Sequence, residues 1–395
     1  MNLTLALPFK KSNGHAQSLA QKFTAKKKQT AKYKVALCID IGSCYTKMLL
    51  GRQRPNGLFI EQNRTVGTPE GAYADGTIIN AAQLAPMLNN LTSRDSGVTK
   101  DLIFSIESTK IIKREFVIPK IPDEDILGLV TYEMMQYLPI DISEYTIQPK
   151  VIGDVSEEDA EKIKVSVNAV PKSIIQAYQR LFTSAGLKPI SMDINSNSVE
   201  KMIQCDMARN PSSEYAEKNI VFIDMGHSFF NVSVYENGKY QFNRAIEIGG
   251  RMLDQKISEL LKVDIKKAEH VKKELCGQIS VMELDKKYGH MPDDHKPQTI
   301  YEHTLIEFMS IINQWANQVD KVLQYMIRSR ERKIDRIYIY GGGSLISGIS
   351  EFFEQKLAIQ TVPAGAHRCC EYGPAVNAQN IMLTHGNALG ALLIV

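Results

Sequence analysis

Two short stretches of the sequence decide the fold: Ile39-Asp40-Ile41-Gly42-Ser43 and, far downstream, Ile223-Asp224-Met225-Gly226-His227-Ser228. Each contains an apolar run, then Asp-x-Gly, then small or polar residues, and a second apolar stretch follows, at 47–51 and at 231–235. This pattern predicts a strand, a tight turn and a second strand. A single copy is most simply a hairpin turn with no further role, so the duplication is what indicates a function.

A turn of this kind exposes successive backbone N–H groups as an anion-binding concavity, and its glycine lets an anion approach without a Cβ in the way. Two such turns can clamp a polyphosphate. The aspartate at the end of each first strand would repel phosphate unless a cation lay between them. Mg²⁺ binds in that manner, through a few carboxylates, waters and phosphate oxygens. The hairpins therefore predict a nucleotide with Mg²⁺, the metal being held through water by Asp40 and Asp224.

A third glycine cluster follows the apolar run at 337–340 and leads into a helical pattern at 349–357; it reads Gly341-Gly342-Gly343-Ser344. Glycines between a strand and a helix permit close contact with a flat ligand such as a base or a ribose. The cluster matches neither the P-loop nor the dinucleotide fingerprint. It therefore predicts a contact with the nucleoside rather than a second phosphate loop.

The three motifs, in this order, resemble those of the superfamily of actin, sugar kinases and heat-shock chaperones, over residues 34–395. The resemblance implies an α/β actin-like fold in which two duplicated domains flank a nucleotide cleft. We expect a basic arm at 1–34 and a first domain at 35–205 with an inserted subdomain at about 100–170. The second domain is expected at 206–395, with a smaller helical subdomain at about 250–330.

One segment resembles a particular branch of that superfamily, the PilM family of type IV pilus assembly proteins, which is related to FtsA. The matching stretches are Ser105-Ile106-Glu107, residues 111–114 and 117–126, and Tyr132-Glu133-Met134-Met135-Gln136-Tyr137-Leu138-Pro139-Ile140, which is close to that family's Glu-x-x-x-Tyr-Ile-Pro-Phe run. The residues also predict structure by themselves, because three acids after Pro122 suit the first turn of a helix. Apolar residues then recur at helical spacing, at Ile126, Val130, Met134 and Tyr137. We expect an amphipathic helix packed on its own sheet and stopped by Pro139.

By the resemblance, ATP and Mg²⁺ lie in the cleft and contact both hairpins and the glycine cluster. The implied binding residues are Asp40, Gly42, Ser43, Cys44, Tyr45, Lys47, Asp224, Gly226, His227, Ser228, Gly341, Gly342, Gly343 and Ser344. Glu269 and Lys272 share a helix face and stand where the superfamily contacts ribose and adenine; an exposed ion pair is the alternative.

Asp193 stands where several members of the superfamily have a glutamate that orients the water attacking the γ-phosphate. An aspartate that caps the next helix at Asn195 or Ser196 explains the same position. Because aspartate is one methylene shorter than glutamate, we expect ATP hydrolysis to be slow or absent.

Composition restricts the remaining possibilities. No apolar run approaches the roughly 20 residues that cross a bilayer, and the six cysteines lack zinc-ligand spacing, so we expect reduced thiols in a cytoplasmic protein. Residues 1–34 contain eight lysines and no Asp or Glu. That arm is expected to be solvated and disordered, or to contact an anionic membrane surface. Nucleic-acid binding has no support from aromatic residues or fold and is not expected.

The first residues, Met1-Asn2-Leu3-Thr4-Leu5-Ala6-Leu7-Pro8-Phe9, are similar to the Asn-Leu-Leu-Pro segment with which PilN, the membrane partner of PilM proteins, docks into a groove. Two interpretations stay open: a disordered end, or a segment that occupies this chain's own groove or a neighbour's. The second interpretation predicts that deleting residues 1–10 raises the affinity for a PilN-like peptide.

Two other segments have clear patterns. Residues 164–194 read as a strand, a helix over 172–185 and a second strand from Pro189 to Ile194. Residues 300–330 predict one long helix whose buried face holds Leu305, Phe308, Ile312, Trp315, Val319, Val322 and Met326.

The resemblance thus implies an actin-like, ATP-binding cytoplasmic scaffold of the type IV pilus, or of a related type II secretion platform, at the inner membrane. The implied partner is the N-terminal peptide of a PilN-like bitopic membrane protein, with other platform proteins and self-association as further expectations. One alternative is an FtsA-like filament-forming division protein, but residues 386–395 read as a core helix rather than a membrane-binding amphipathic one. The other alternative, a small-molecule kinase, needs an Asp base that the sequence does not offer.

Overall fold

The computed structural model describes residues 5–6, 33–55, 57–94, 97–157, 160–210, 212–289, 296–330 and 333–394. The chain divides into two compact units: unit 1 contains Met1–Lys201 and Asn387–Val395, and unit 2 contains Met202–Gly386. The second domain was expected to extend to residue 395, but the last nine residues belong to unit 1. They are held there because Lys201 Nζ donates to the Ala391 carbonyl over 2.8 Å and Gly390 packs directly on Ser198.

Unit 1 contains most of the first half of the chain. Its strands are β1 (Leu5–Ala6), β2 (Val35–Ile41), β3 (Tyr45–Arg54), β4 (Gly57–Gly67), β5 (Tyr73–Ala74), β6 (Thr77–Ile78), β7 (Asp101–Ile106), β8 (Ile112–Pro119), β9 (Tyr145–Glu157), β10 (Ala160–Pro171) and β11 (Lys188–Ile194). Its helices are α1 (Ala81–Thr92), α2 (Asp123–Tyr137), α3 (Lys172–Ser184) and the first half of α4 (Asn195–Arg209).

Unit 2 follows from within α4. Its strands are β12 (Asn219–Met225), β13 (Phe230–Glu236), β14 (Lys239–Ile246), β15 (Arg336–Tyr340), β16 (Thr361–Pro363) and β17 (Cys370–Tyr372). Its helices are α5 (Gly250–Leu261), α6 (Ile265–Gln278), α7 (Val281–Tyr288), α8 (Ile300–Arg330), α9 (Ile349–Leu357) and the first part of α10 (Ala378–Leu392), which is interrupted at His385 and continues into unit 1.

The main sheet of unit 1 has the order β1-β11-β7-β2-β3-β4. β2 and β3 form an antiparallel hairpin, whereas β7 pairs in parallel with both β2 and β11. The alternating apolar residues of these strands pack against α1 and α3. Phe104 stacks on Tyr178 at 5.2 Å between ring centroids, and Phe182 lies at the same distance from Phe104.

The inserted subdomain is a separate three-stranded antiparallel sheet, β8-β10-β9, covered on one face by α2. The insertion was expected to begin at about residue 100. It begins after β7 instead, because residues 101–106 belong to the main sheet. Ile126, Val130 and Met134 pack on this sheet as predicted. Tyr137 was expected to share that face but is 70% exposed, because the helix ends there and the chain turns extended at Leu138.

The sheet of unit 2 has the order β14-β13-β12-β15-β16. β12 and β13 form the second antiparallel hairpin, and β12 pairs in parallel with β15, so that Asp224 stands beside Tyr340. The predicted long helix is confirmed as α8, and Trp315 on its buried face meets Phe230 edge-on at 4.9 Å. Only Val322 of the predicted stripe is partly rather than fully buried.

Among the described residues, no helix combines the length and the apolar character that a membrane span requires.

Candidate functional site

The first hairpin is closed tightly around Gly42. Its N–H donates to the Tyr45 carbonyl over 3.0 Å, and a Cβ at Gly42 would lie 2.8 Å from that same oxygen, so the turn requires glycine. Thr68, at the end of β4, supports the loop from one side: its N–H donates to the Cys44 carbonyl over 2.8 Å and its hydroxyl to the Gly42 carbonyl over 2.7 Å. The carbonyl groups of the turn are thus held by protein, and the loop has a fixed shape.

Asp40 lies at the end of β2, directly before this turn, and is 8% exposed. Its cross-strand partner is Lys47 on β3. Burial raises the pKa of the Asp40 carboxyl, while the Lys47 ammonium and a hydrogen bond with Asn387 lower that pKa in part. A carboxylate that is largely buried beside one lysine is suited to a bound cation, because a second positive charge would favour its ionised form.

The second hairpin repeats the turn with a different support. Gly226 N–H donates to the Phe229 carbonyl over 3.1 Å, and a Cβ at Gly226 would lie 2.6 Å from that oxygen. Here the first turn of α5 holds the carbonyl groups: Gly250 N–H donates to Gly226 over 3.2 Å and Arg251 N–H to His227 over 2.9 Å. The start of α5 therefore fixes the second loop as Thr68 fixes the first.

A lysine and a histidine lie beside the second loop. Lys272 on α6 pairs with the Asp254 carboxylate of α5, at 2.7 and 2.8 Å from its two oxygens. A Cβ at Gly250 would lie 3.5 Å from Lys272 Nζ and 3.7 Å from His227 Nδ1, so both nitrogens stand at the helix start. The candidate site of unit 2 thus combines a tight loop, a cation and an imidazole.

His227 is neutral at pH 7. Burial, followed by the charges of Lys272 and Arg251, lowers the pKa of His227 to about 4. Its Nδ1 is 3.6 Å from Asp254 Oδ2, but a neutral ring makes this contact no ion pair. Burial raises the pKa of Asp254, and Lys272 opposes that rise; Lys272 is therefore the charge that compensates this buried acid.

Glu269 and Lys272 lie on the same helix as predicted, and each has a partner of its own. Lys273 Nζ is 2.8 Å from Glu269 Oε1, one helical turn along α6. The pairing of Lys272 with Asp254 was not foreseen. The one feature of the sequence that bears on this pairing is the Gly249-Gly250 start of a helix, because it places Asp254 about one turn into α5.

The glycine cluster packs on the end of β12. Gly341 has φ +85°, and a Cβ there would lie 2.8 Å from both Met225 N and Met225 O and closer still to Asp224 Oδ1. A Cβ at Gly343 would also meet Met225, at 2.9 Å, whereas one at Gly342 would meet nothing within 4 Å. The cluster therefore touches the strand that carries Asp224, and its buried Ser344 hydroxyl closes the turn on the Gly341 carbonyl over 2.7 Å.

The structure gives Asp193 a set of local partners. Its Oδ1 accepts from Ile194 N–H over 2.9 Å and from the Asn197 amide over 2.5 Å, at the start of α4. Its Oδ2 is 2.9 Å from Lys201 Nζ, and the two side chains are 2% and 1% exposed. Asp193 is therefore the acid of a buried ion pair beside the start of α4, and both its capping of that helix and its role in orienting water stay predictions.

Each unit therefore brings together its own share of the predicted residues. In unit 1 these are the hairpin residues Ser43, Cys44, Tyr45 and Lys47 with Asp40 and Gly42. In unit 2 they are His227 and Ser228 with Asp224, Gly226, Lys272 and the glycine cluster. Within the described part of the chain, no group of three or more His, Cys, Asp or Glu side chains forms a metal site; a Mg²⁺ ion bound mostly by water and phosphate needs only one or two carboxylates.

Two α/β units, each with an Asp-x-Gly hairpin of the same geometry, define an actin-like fold. A family model described as "Type IV pilus assembly protein PilM" matches residues 38–392. The chain therefore belongs to the PilM family of type IV pilus assembly proteins. This match favours neither the division protein nor the small-molecule kinase.

Three solved structures illustrate what this chain is similar to. The "PilM-PilN type IV pilus biogenesis complex" contains a chain with 19% sequence identity and a TM-score of 0.73, the match covering 90% of this chain and 97% of that one. The ethanolamine utilization protein EutJ from Carboxydothermus hydrogenoformans is 13% identical with a TM-score of 0.49, over 91% of this chain and 90% of its own. MreB5 of Spiroplasma citri bound to ADP is 12% identical with a TM-score of 0.46, over 85% and 93%. The first of these alone supports the fold.

Proposed function

We propose that this protein is a nucleotide-binding scaffold of the type IV pilus assembly platform, on the cytoplasmic side of the inner membrane. ATP binds through its phosphates to both hairpins, and the glycine cluster contacts the nucleoside. The observation that supports this most directly is the duplicated Asp-x-Gly turn, which has the same hydrogen bond and the same steric need for glycine in both units.

The residues fit a Mg²⁺-nucleotide. Asp40 and Asp224 end their strands next to the two turns and are each 8% exposed, so water-mediated contact with a metal bound to phosphate is chemically suitable. The backbone of the turns and Lys272 would face the phosphate charge. Bound Mg²⁺ would neutralise charge between carboxylate and phosphate.

The output is a conformational state linked to nucleotide rather than rapid turnover. Two candidate bases are weakened by their surroundings: Asp193 is paired with Lys201, and the lowered pKa of His227 makes it a weak base. By linkage, if nucleotide changes the affinity for a partner, the partner must change the affinity for nucleotide by the same factor.

The proposed partner is the N-terminal peptide of a PilN-like membrane protein. One solved structure to which this chain is similar is a complex of PilM with PilN. Such a partner would hold the scaffold at the inner membrane, with other platform proteins and self-association as additional proposals.

Isothermal titration with ATP, with and without Mg²⁺, tests the nucleotide site. We expect Mg²⁺-dependent binding in the natural chain and none in Asp224→Ala. The control is Glu259→Ala, which removes a 70% exposed acid from α5 in the same unit and should bind ATP as the natural chain does. Tight Mg²⁺-dependent binding to Asp224→Ala would reject the assignment of the site.

The same titration with a synthetic peptide of the N-terminal residues of a PilN protein tests the partner. Binding that changes the ATP affinity would support a scaffold with two coupled sites. ATP binding without any peptide binding, in a chain that lacks residues 1–10, would contradict the proposed partner while leaving the nucleotide site in place.

A further inference from the structure

Three of the cysteines lie together in unit 2. Cys205 lies on the second half of α4, whereas Cys369 and Cys370 lie far along the chain, at the start of β17. All three side chains are buried. His367 joins the two segments, because its Nε2 is 2.9 Å from the Met202 carbonyl of α4. We call Cys205, His367, Cys369 and Cys370 the thiol cluster.

Two of the thiols are in direct contact. A hydrogen bond joins the side chains of Cys205 and Cys369, so these two sulfur atoms are neighbours. The N–H of Cys369 donates to His367 Nδ1 over 3.3 Å, and Cys370 Sγ lies 4.0 Å from the same nitrogen. The imidazole therefore holds the backbone of Cys369 in place while the thiol of that residue contacts Cys205.

The three thiols differ in how readily they ionise. The hydrogen bond from Cys205 lowers the pKa of Cys369; burial opposes this shift, and the neighbouring His367 and Arg209 add to it. The same hydrogen bond, followed by burial, raises the pKa of Cys205. Burial raises the pKa of Cys370 to about 12. Because the thiolate is the nucleophilic form of a cysteine, Cys369 is the reactive member of the thiol cluster.

The thiol cluster lies beneath exposed residues. Arg368 and Glu371 flank the two adjacent cysteines and are exposed, whereas Cys369 is 3% exposed. A thiol that is covered in this way is reached more easily by a molecule close to water in size than by a bulky disulfide such as oxidised glutathione. Hydrogen peroxide is therefore the class of oxidant that suits this position.

We propose that Cys369 is a peroxide-sensitive nucleophile and that Cys205 is its resolving thiol, so that the two form a reversible disulfide within unit 2. In the described part of the chain the cluster forms no metal site. Redox-sensor cysteines often have a resolving cysteine beside them. Disulfides in reducing compartments are commonly transient and redox-sensing, which agrees with thiols that are reduced in the absence of peroxide.

The reaction proceeds in two steps. In the first, the Cys369 thiolate attacks one oxygen of hydrogen peroxide: the S–O bond forms, the O–O bond breaks, and the departing hydroxide takes a proton from solvent to become water. Two electrons pass from the sulfur to the peroxide, and Cys369 becomes a sulfenic acid. In the second, Cys205 Sγ attacks Cys369 Sγ: the S–S bond forms, the S–O bond breaks, and the departing hydroxide leaves as water with the Cys205 thiol proton. A dithiol reductant reverses the disulfide by exchange.

The first step prepares the second. The hydrogen bond with the Cys369 side chain is the largest cause that raises the pKa of Cys205, followed by burial and the negative charge of Cys369. A sulfenic acid is neutral, so this charge is lost once Cys369 is oxidised. The pKa of Cys205 then falls, and its thiolate becomes available when a sulfur that it can attack lies beside it.

The disulfide would close a long loop. Cys205 and Cys369 lie near the two ends of the unit that runs from Met202 to Gly386. A cross-link over so long a segment restricts the unfolded chain strongly. Oxidation should therefore raise the urea midpoint of unit 2, followed by the fluorescence of Trp315, by about 1–2 M, and dithiothreitol should reverse the rise. An unchanged midpoint in a fully cross-linked chain would overturn this stabilisation.

Mass spectrometry of the full natural chain tests the site without any variant. After brief exposure to hydrogen peroxide, free thiols are alkylated in denaturant and the chain is digested. We expect a Cys205–Cys369 cross-link about 2 Da lighter than the two reduced peptides, because two hydrogen atoms are lost, and we expect dithiothreitol to remove it. Burial raises the pKa of Cys38, so this thiol is the internal control and should stay reduced. Oxidation of Cys369 no faster than that of Cys38, or a bond from Cys369 to Cys370 instead, would overturn the inference.

Three serine variants separate the roles of the thiols. Cys369→Ser should form no cross-link at Cys205. Cys205→Ser should stop at the Cys369 sulfenic acid, which dimedone traps. Cys370→Ser is the control matched in position and size, and it should form the cross-link as the natural chain does. Circular dichroism checks that each variant is folded. A Cys205→Ser chain in which dimedone does not label Cys369, or a Cys370→Ser chain without the cross-link, would contradict the assigned roles.

Discussion

Replacing Gly341 by alanine should destabilise unit 2 strongly, whereas the same change at the next residue, Gly342, should cost little. Gly341 has φ +85° and ψ 172°, a backbone region that is essentially limited to glycine and costs another residue about 1–3 kcal/mol. The new Cβ would also lie 2.8 Å from the backbone N and O of Met225 and closer to the Asp224 carboxylate. Displacing packed backbone in this way costs about 1–3 kcal/mol more.

The two contributions add to about 4 kcal/mol for Gly341→Ala. A Cβ at Gly342 meets no atom within 4 Å, and alanine reduces the freedom of the unfolded chain, so Gly342→Ala should be neutral or stabilising by less than about 1 kcal/mol. The pair is matched in sequence position, in chemistry and in the volume added. Their difference therefore isolates the close approach of the glycine cluster to β12.

Tryptophan fluorescence in urea is the assay. The chain has a single tryptophan, Trp315, which is 0% exposed in the core of unit 2, so its emission reports the unfolding of that unit. With a urea dependence of about 2 kcal/mol per M, a loss of 4 kcal/mol lowers the midpoint by about 2 M. A Gly341→Ala midpoint within about 0.5 M of the Gly342→Ala midpoint would refute the argument.

Three further perturbations test other parts of the two units. Lys201→Met leaves the Asp193 carboxylate buried without its cation and should destabilise unit 1 by about 3–5 kcal/mol by circular dichroism. Adding Asp193→Asn should recover the part of that loss that the unpaired carboxylate causes, but not the hydrogen bond from Lys201 to the Ala391 carbonyl; a double variant as unstable as the single one would contradict a compensated ion pair. The pKa of His227 is lowered to about 4, so on acidification the unfolded state binds a proton that the folded state does not. The free energy of unfolding of unit 2 should therefore fall by about 2 kcal/mol between pH 7.5 and pH 5 in the natural chain but not in His227→Asn. If urea unfolding followed by Trp315 fluorescence has the same pH dependence in both chains, this imidazole is not buried as a neutral group. Thr68→Val removes the hydrogen bond from the Thr68 hydroxyl to the Gly42 carbonyl. The free energy of unfolding, measured by circular dichroism, should fall by about 1 kcal/mol, and titration should show weaker ATP binding. An unchanged ATP affinity would mean that Thr68 does not shape the first loop for its ligand.

Local patterns in the sequence were sufficient to predict the two hairpins and the helices α2 and α8. Each of these depends on the spacing of apolar residues within one segment, which strand and helix periods determine directly. Tyr137 shows the limit of that method, because spacing alone does not reveal that the helix ends before its side chain can reach the sheet.

The partners of the site residues could not be predicted in this way. Asn387 hydrogen-bonds Asp40 from the far end of the chain, and Asp254 takes the Lys272 ammonium that was expected to face ribose or adenine. Such pairings depend on how helices and strands pack in three dimensions, and no periodicity in the sequence encodes them. The sequence predicts which residues lie near a hairpin, whereas the ion pairs and the protonation of their side chains follow only from packing.

The two hairpins share the geometry of the turn and differ in the contacts that support it. In both units the glycine N–H closes the turn on the carbonyl three residues ahead, at 3.0 Å from Gly42 to Tyr45 and 3.1 Å from Gly226 to Phe229. The supports differ entirely: a threonine side chain and backbone hold the first turn, and the start of a helix holds the second. If the turns served only to join strands, nothing would require the same loop geometry once the surrounding contacts had diverged. A turn geometry that is the same on two different supports is the physical argument that favours the proposed binding of phosphate at each turn.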